Sequence, residues 1–277
     1  MQRKSVSFVK MSGSGNDFIV IDNRNKIVKN ATTFAKKYCS RKFGIGADGL
    51  LLVEKSKAAN FKMVYYNSDG SRASFCGNGA RCIALFAYVK KIASLKMSFE
   101  SDAGLISAEV KNNLKCHCEE KPCQSQTIKI KMPEPKNFNL DFNITVEGKK
   151  FEASFVDTGV PHTVIFAEKI ENVDVEKFGR LIRFHKKFQP AGTNVNFVKI
   201  LGKNKLQVRT YERGVEAETL ACGTGVVASS MISIKKGFVK SPVTILTQGG
   251  EILNVYYDGK TVHFEGKISL VFGGKIY

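Results

Sequence analysis

The sequence predicts an α+β protein of two pseudo-symmetric domains, each a mostly antiparallel sheet or barrel wrapped around a central helix. Three observations carry that expectation: an internal repeat, strand runs that alternate apolar and polar residues, and an apolar helix after a Cys-Gly-x-Gly turn in each half. The functional site is expected in the cleft between the two domains.

The repeat comes first because a missed period misassigns a whole fold. Cys76 in "SFCGNGARC" and Cys222 in "LACGTGVVA" lie 146 positions apart, and the same offset carries Tyr65 onto Tyr211, Gly77 onto Gly223 and Gly79 onto Gly225. It also lays "GADGLLLV" over "GTNVNFVK", with Asp48 over Asn194, and Gly104 over Gly250. After a two-residue adjustment "SGNDFIVI" falls on "TGVPHTVI", which sets Phe18 over His162. Coincidences in one order define a unit of about half the chain, far longer than a solenoid period.

Both halves follow one grammar. The first predicts strands at 5–11 and 17–22, a helix at 31–39, strands at 49–54 and 60–67, a helix at 77–90, and a hairpin of 95–101 with 104–111. The second predicts strands at 151–157 and 162–167, a helix at 174–184, strands at 195–200 and 205–212, a helix at 223–236, and a hairpin of 243–248 with 251–257. Alternation in runs such as "KLQVRTY" marks the strands, and the glycines after each cysteine permit a tight strand-to-helix turn. The polar, proline-bearing stretch 115–126 is the expected join. It gives an N-terminal domain of 1–121, completed by about 266–277, and a C-terminal domain of 122–265.

With 277 residues, 43% of them hydrophobic, the chain fills real cores. No apolar run is long enough for a membrane span and the start lacks a secretory leader, so a cytoplasmic setting is expected. The net charge of +18 is spread as single lysines and short pairs such as Lys90–Lys91 and Lys235–Lys236. A lysine-rich surface is favoured over a nucleic-acid binder, which concentrates its cations among aromatics. Seven cysteines at irregular spacing do not make a disulfide scaffold. Cys116, His117, Cys118 and Cys123 match none of the paired zinc spacings, and no metal is expected. Cys39 and Cys82 read as core residues.

Cys76 and Cys222 read differently, because packing alone has no need to restore the same thiol in both halves. A cysteine at a helix start sits beside unsatisfied backbone N–H groups and the positive end of the helix dipole, which stabilise a thiolate. The same N–H groups hold a carboxylate. Two such thiols on opposite sides of one carbon define a reaction: one removes a proton, the other returns one to the opposite face. That is racemisation or epimerisation alpha to a carboxylate without cofactor, aided by donors around the carbanion. His162 and Glu212 are candidates for the bases that activate a thiol.

At these residues the chain resembles the diaminopimelate epimerase family. The motifs are "KMSGSGNDFIVID", "NSDGSRASFCGNGARC", "PHTVIF", "GTNVNFV" and "YERGVEAETLACGTG". The resemblance implies an isomerase that interconverts LL- and meso-2,6-diaminopimelate in lysine and peptidoglycan precursor synthesis, acting as a cytoplasmic homodimer without cofactor. Cys76 and Cys222 then match the two catalytic bases, with His162 beside one thiol. Asn16, Gly77, Asn78, Glu212, Gly223 and Thr224 match contacts to the reacting end; Asn67, Asn194 and Arg213 match those to the distal end. Two positions depart from the family pattern: Val160 replaces a frequent Asn, and Gly49 a frequent Gln. A related racemase or isomerase of another amino acid is the alternative, and a thiol redox sensor or basic anion-binding protein a remote one. Neither G-x-G turn completes a dinucleotide fingerprint.

Overall fold

A computed structural model describes residues 5–111 and 125–277. The chain forms two compact units, Met1–Lys131 with Glu265–Tyr277, and Met132–Phe264. The expected join at 115–126 falls mostly outside the described residues, as do Cys116, His117, Cys118 and Cys123.

In the first unit, β1 (Val6–Gly13) and β2 (Asn16–Asp22) form a hairpin, followed by α1 (Ala31–Tyr38), β3 (Gly49–Glu54), β4 (Phe61–Asn67) and the short β5 (Arg72–Ala73). Helix α2 (Gly77–Val89) leads to β6 (Lys96–Ser101), β7 (Gly104–Lys111) and β8 (Ser125–Lys131). The second unit repeats the series with β9 (Lys136–Val146), β10 (Lys149–Asp157), β11 (Pro161–Phe166), α3 (Val175–Arg183), β12 (Asn194–Gly202), β13 (Lys205–Glu212) and β14 (Ala217–Thr219). It continues through α4 (Gly223–Lys235), β15 (Val243–Thr247), β16 (Ile252–Tyr257) and β17 (Val262–Ile276), whose residues from Glu265 belong to the first unit.

Pairing is mostly antiparallel, as the α+β expectation holds. Parallel steps occur where a helix intervenes: β2 with β3 and β4 with β6, then β11 with β12 and β13 with β15. A parallel pair needs such a crossover, whereas antiparallel neighbours join by hairpins. In the first unit the order β1–β2–β3–β4–β6–β7–β8–β17 returns to β1, so the sheet closes into a barrel.

Helix α2 fills that barrel. It is mostly apolar, Asn78 and Arg81 apart, and buried from Gly77 to Ala87, as a helix surrounded by strands must be. Its small residues, among them Gly79, Ala80 and Ala84, let the strands approach; a Cβ at Gly79 would already lie 3.3 Å from Leu51 Cδ2. Strand β3 is buried on both faces: Leu50 and Leu52 pack outward with Ala35 of α1, while Leu51 points to α2. Each such leucine contributes about 1.5–3 kcal/mol on burial.

Helix α4 holds the same place in the second unit, packed on β10, β11, β12 and β13. Two of its serines turn back on the helix, Ser230 Oγ to Val226 O at 2.9 Å and Ser233 Oγ to Ser229 O at 2.7 Å, which satisfies those hydroxyls within the core. Amphipathic α3 covers the outside with Val175, Gly179 and Ile182. Parity in β12 then divides its residues: Val195 and Phe197 join the α3 cluster, and Asn194 and Asn196 point the other way.

Candidate active site

In the first unit, Cys76 has extended backbone and is the N-cap of α2, where the Gly79 N–H donates to its Sγ at 3.5 Å. Gly77 and Asn78 open the helix. The Asn78 side chain, 3% exposed, donates from Nδ2 to Asn16 Oδ1 at 2.8 Å and to Ser14 O at 3.4 Å. Arg81, fully buried one turn further along, donates from Nη2 to Asn78 Oδ1 at 2.7 Å and to the Ser14 hydroxyl. Asn16 donates in turn to Asp48 Oδ2 at 3.0 Å.

Asp48 belongs to a charged knot at the mouths of β2 and β3. Its Oδ2 also accepts the Asp17 N–H at 3.1 Å, and Arg41 bridges Asp17 and Asp48 at 2.8 and 2.7 Å. Lys10, almost wholly buried, reaches Asp17 Oδ2 at 2.7 Å and the Gly46 carbonyl. Burial pushes the Asp17 carboxyl up, but the Arg41 and Lys10 cations outweigh it and bring the pKa down to about 2. Cys39 lies in the core nearby, and desolvation pushes its thiol up to about 12, which makes it inert.

Asn67 stands apart from this network. It ends β4 opposite Gly49, and its Nδ2 donates to Ser71 Oγ at 3.0 Å within a turn. Gly49 sits where the family pattern often has Gln; here a Cβ would lie 2.5 Å from Tyr65 Cε2 and 2.6 Å from the Tyr66 carbonyl oxygen. The ring of Tyr65 occupies the room a side chain would need.

In the second unit, Cys222 is the buried N-cap of α4, with Thr224 Oγ1 3.5 Å from its Sγ. Gly223 follows, and Thr158 Oγ1 donates to the Thr224 carbonyl at 3.3 Å. Asn196 reaches this helix start: a Cβ on Gly225 would lie 2.4 Å from Asn196 Oδ1 and 3.3 Å from Cys222 Sγ. Asn196 donates to Thr163 O at 2.9 Å, contacts His162 Nδ1 at 3.2 Å, and accepts from Thr210 Oγ1 at 3.0 Å. His162 is fully buried; desolvation, reinforced by the Arg213 cation, lowers its pKa to about 3 against the opposing Asn196 bond.

Asn194 ties Arg213 into the same cluster. Its Nδ2 donates to Pro161 O at 3.0 Å and its Oδ1 accepts the Arg213 N–H at 2.8 Å, while Arg213 Nη1 donates to Ala191 O at 2.9 Å. Glu212 precedes Arg213 at the end of β13, and its carbonyl accepts the Glu216 N–H at 2.8 Å. Val160, which has no amide to offer, engages the Thr158 N–H through its carbonyl at 3.1 Å.

Cys76, Asn78 and Asn16 are thus assembled in one unit, and Cys222, His162, Asn194 and Arg213 around α4 in the other. Sequence reasoning missed the residues that hold them: Arg81, Ser14, Asp48 and Arg41 in the first unit, Asn196, Thr163 and Thr210 in the second. Two carried a legible signal. Arg81 is an arginine inside an apolar helix, and Asn196 shares by period two the strand face of Asn194.

The α+β fold is shared with solved structures of very different sequence. A PhzF-family phenazine biosynthesis protein of Bacillus anthracis superposes with a TM-score of 0.74 at 13% identity, over 99% of this chain and 100% of that one. A hydroxyproline epimerase of Agrobacterium vitis gives 0.71 at 14% identity, over 99% and 93%. Sequence narrows the class: the model of the diaminopimelate epimerase family matches residues 8–120 and 154–271. The diaminopimelate epimerase of Aquifex aeolicus is 42% identical over 98% of both chains, and that of Archaeoglobus fulgidus 36% identical over 97% of this chain and 95% of its own. The chain belongs to the diaminopimelate epimerase family.

Proposed function

We infer that this protein is an isomerase that epimerises LL- and meso-diaminopimelate at one α-carbon by two-base proton transfer. The observation that carries the reading is the duplicated thiol: Cys76 caps α2 and Cys222 caps α4, each followed by glycine at the first helical position. One thiolate accepts the Cα proton and becomes a thiol. The resulting carbanion is held by donors around its carboxylate, and the other thiol delivers a proton to the opposite face and becomes a thiolate. Exchange with solvent resets the pair. Gly77 and Asn78 at the start of α2, and Gly223 and Thr224 at the start of α4, would supply those donors, with Asn16 and Glu212 completing the reacting end and His162 in the catalytic set.

Asn67, Asn194 and Arg213 would hold the distal amino-acid end. A guanidinium fork suits a carboxylate there, and the Asn194–Arg213 bond at 2.8 Å supports placing the two together. A cytoplasmic homodimer belongs to the same reading. Among the described residues no helix is long and apolar enough to cross a membrane.

Deuterium incorporation at Cα in heavy water tests the proposal directly. The wild type is expected to exchange both LL- and meso-diaminopimelate, and Cys76→Ala and Cys222→Ala each to abolish epimerisation. Absence of wash-in from either stereoisomer by the folded wild type overturns the assignment; sedimentation separately tests the dimer.

A further inference from the structure

The surroundings of His162 fix which of its nitrogens carries a proton. Asn196 is bonded on three sides, and the carbonyl of Thr163, which can only accept, identifies the atom 2.9 Å from it as the Nδ2 of Asn196. Thr210 Oγ1, 3.0 Å from Oδ1, is consistent with that orientation. The second proton of the same Nδ2 then points at His162 Nδ1, 3.2 Å away. A nitrogen that receives a proton donor must present its lone pair, so the ring proton of a neutral His162 resides on Nε2. That Nε2 atom is buried and has no hydrogen-bond partner among the described residues.

We propose that Asn196 locks His162 as the neutral Nε2–H tautomer, and that His162 serves the reaction as a hydrogen-bond donor to an anion, not as a base. The expectation that it activates a thiol by taking a proton is revised accordingly. Nδ1 is engaged by Asn196, and Nε2 already holds its proton. Charging the ring would place two donors face to face across 3.2 Å, in a site without water contact and under the field of Arg213. A buried N–H without a protein partner favours an acceptor that carries negative charge, a thiolate or a carboxylate oxygen, because an unpaired buried donor is costly. Asn196 is therefore a positioning residue. It acts through the histidine, as partners of ligating histidines act by setting tautomer and orientation.

The proposal builds on the proposed epimerase reading, but its decisive measurement needs no substrate. Protein labelled with nitrogen-15 in histidine is examined by two-bond proton–nitrogen correlation, with His162 assigned by replacing His117, His185 and His263 in turn by glutamine. The expected spectrum shows a pyrrole-type Nε2 and a pyridine-type Nδ1, unchanged from about pH 5 to about pH 8. In Asn196→Ala the lock is gone: the resonances become those of mixed tautomers, and kcat falls about 10–100-fold. Thr210→Val, which leaves the Thr163 carbonyl in place, retains the wild-type pattern. A wild-type ring protonated at Nδ1, or one titrating near the ordinary histidine value, overturns the proposal whether or not Asn196→Ala folds. An Nε2–H ring in a protein that does not epimerise would sink only the functional reading, and an active enzyme with an Nδ1–H ring only this inference.

Discussion

Asn78 donates from Nδ2 to Oδ1 of Asn16 at 2.8 Å, and the bond has a fixed direction. At one end Arg81, which has only donors, lies 2.7 Å from Asn78 Oδ1; at the other Asp48, a carboxylate that only accepts, lies 3.0 Å from Asn16 Nδ2. Neither carboxamide can turn over without setting like against like. The two amides next to the Cys76 helix start are thus oriented by charges beyond them, before any substrate arrives.

Asn16→Asp tests that polarity. It brings a second carboxylate to where a donor stood 3.0 Å from Asp48 Oδ2. Two carboxylates sharing a site raise one folded-state pKa. A raised value contributes stability below the unfolded pKa and loses it as pH rises through the folded one. Relative to wild type at the same pH, the urea midpoint should be nearly unchanged at about pH 4 and lower at about pH 7, by an equivalent of about 1–3 kcal/mol. A deficit independent of pH contradicts the relay.

Asp17 gives the opposite sign. Its folded pKa is depressed from 3.8 to about 2, chiefly by Arg41 and Lys10 acting against desolvation. A depressed carboxyl contributes stability above its unfolded pKa and loses it as pH falls through the folded value. The wild type should therefore lose about 2 kcal/mol from this group between about pH 4 and about pH 2. Asp17→Asn should flatten that segment of the pH–stability curve while lowering stability at neutral pH, because Lys10 is left buried without its counter-ion. Urea melts at stepped pH read both effects.

Much of this was legible in the chain. The offset that joins Cys76 to Cys222 places two 13-residue helices, α2 and α4, at the same step of each unit. Strand β9 was not expected, although its "FNLDFNITV" alternates apolar and polar residues and was open to a strand reading. Its irregularity is structural: Asn137 and Asp141 take positive φ where pairing with β10 shifts register. The closing segment, expected at about 266–277, lies in a strand that runs from Val262 to Ile276. The two cysteines were proposed from the repeat and the other site residues from the family motifs. Of the residues that orient them, Arg81 and Asn196 carried a signal, whereas a salt-bridged Asp48 and a loop aspartate look alike in sequence.

Gly225→Ala probes the second unit. The added Cβ would lie 2.4 Å from Asn196 Oδ1 and 3.3 Å from Cys222 Sγ. Asn196 cannot swing aside without releasing Thr163, Thr210 or His162, so the methyl displaces the histidine's anchor as well as the thiol. A stability loss of about 1–3 kcal/mol is expected, with kcat reduced by more than tenfold. Thermal melts and initial rates measure the pair, and a variant with wild-type kcat would show that the Asn196 position is not critical.

Gly49→Gln asks whether the family's frequent residue fits this chain. Gly49 pairs with Phe18 on one side and Asn67 on the other. Its missing Cβ would lie 2.5 Å from Tyr65 Cε2 and 2.6 Å from the Tyr66 carbonyl oxygen. The Tyr65 ring is held there edge-on to Phe18, with centroids 6.0 Å apart. Overpacking of this kind destabilises by about 1–3 kcal/mol, and a shifted β3 displaces its β4 partner Asn67, so the KM for diaminopimelate should rise. Tyr65→Leu removes the ring but leaves the Tyr66 carbonyl. The double variant should therefore recover part of the loss, with a coupling energy of about 0.5–3 kcal/mol in a double-mutant cycle. Additive losses would mean that the backbone, and not the tyrosine, keeps residue 49 a glycine.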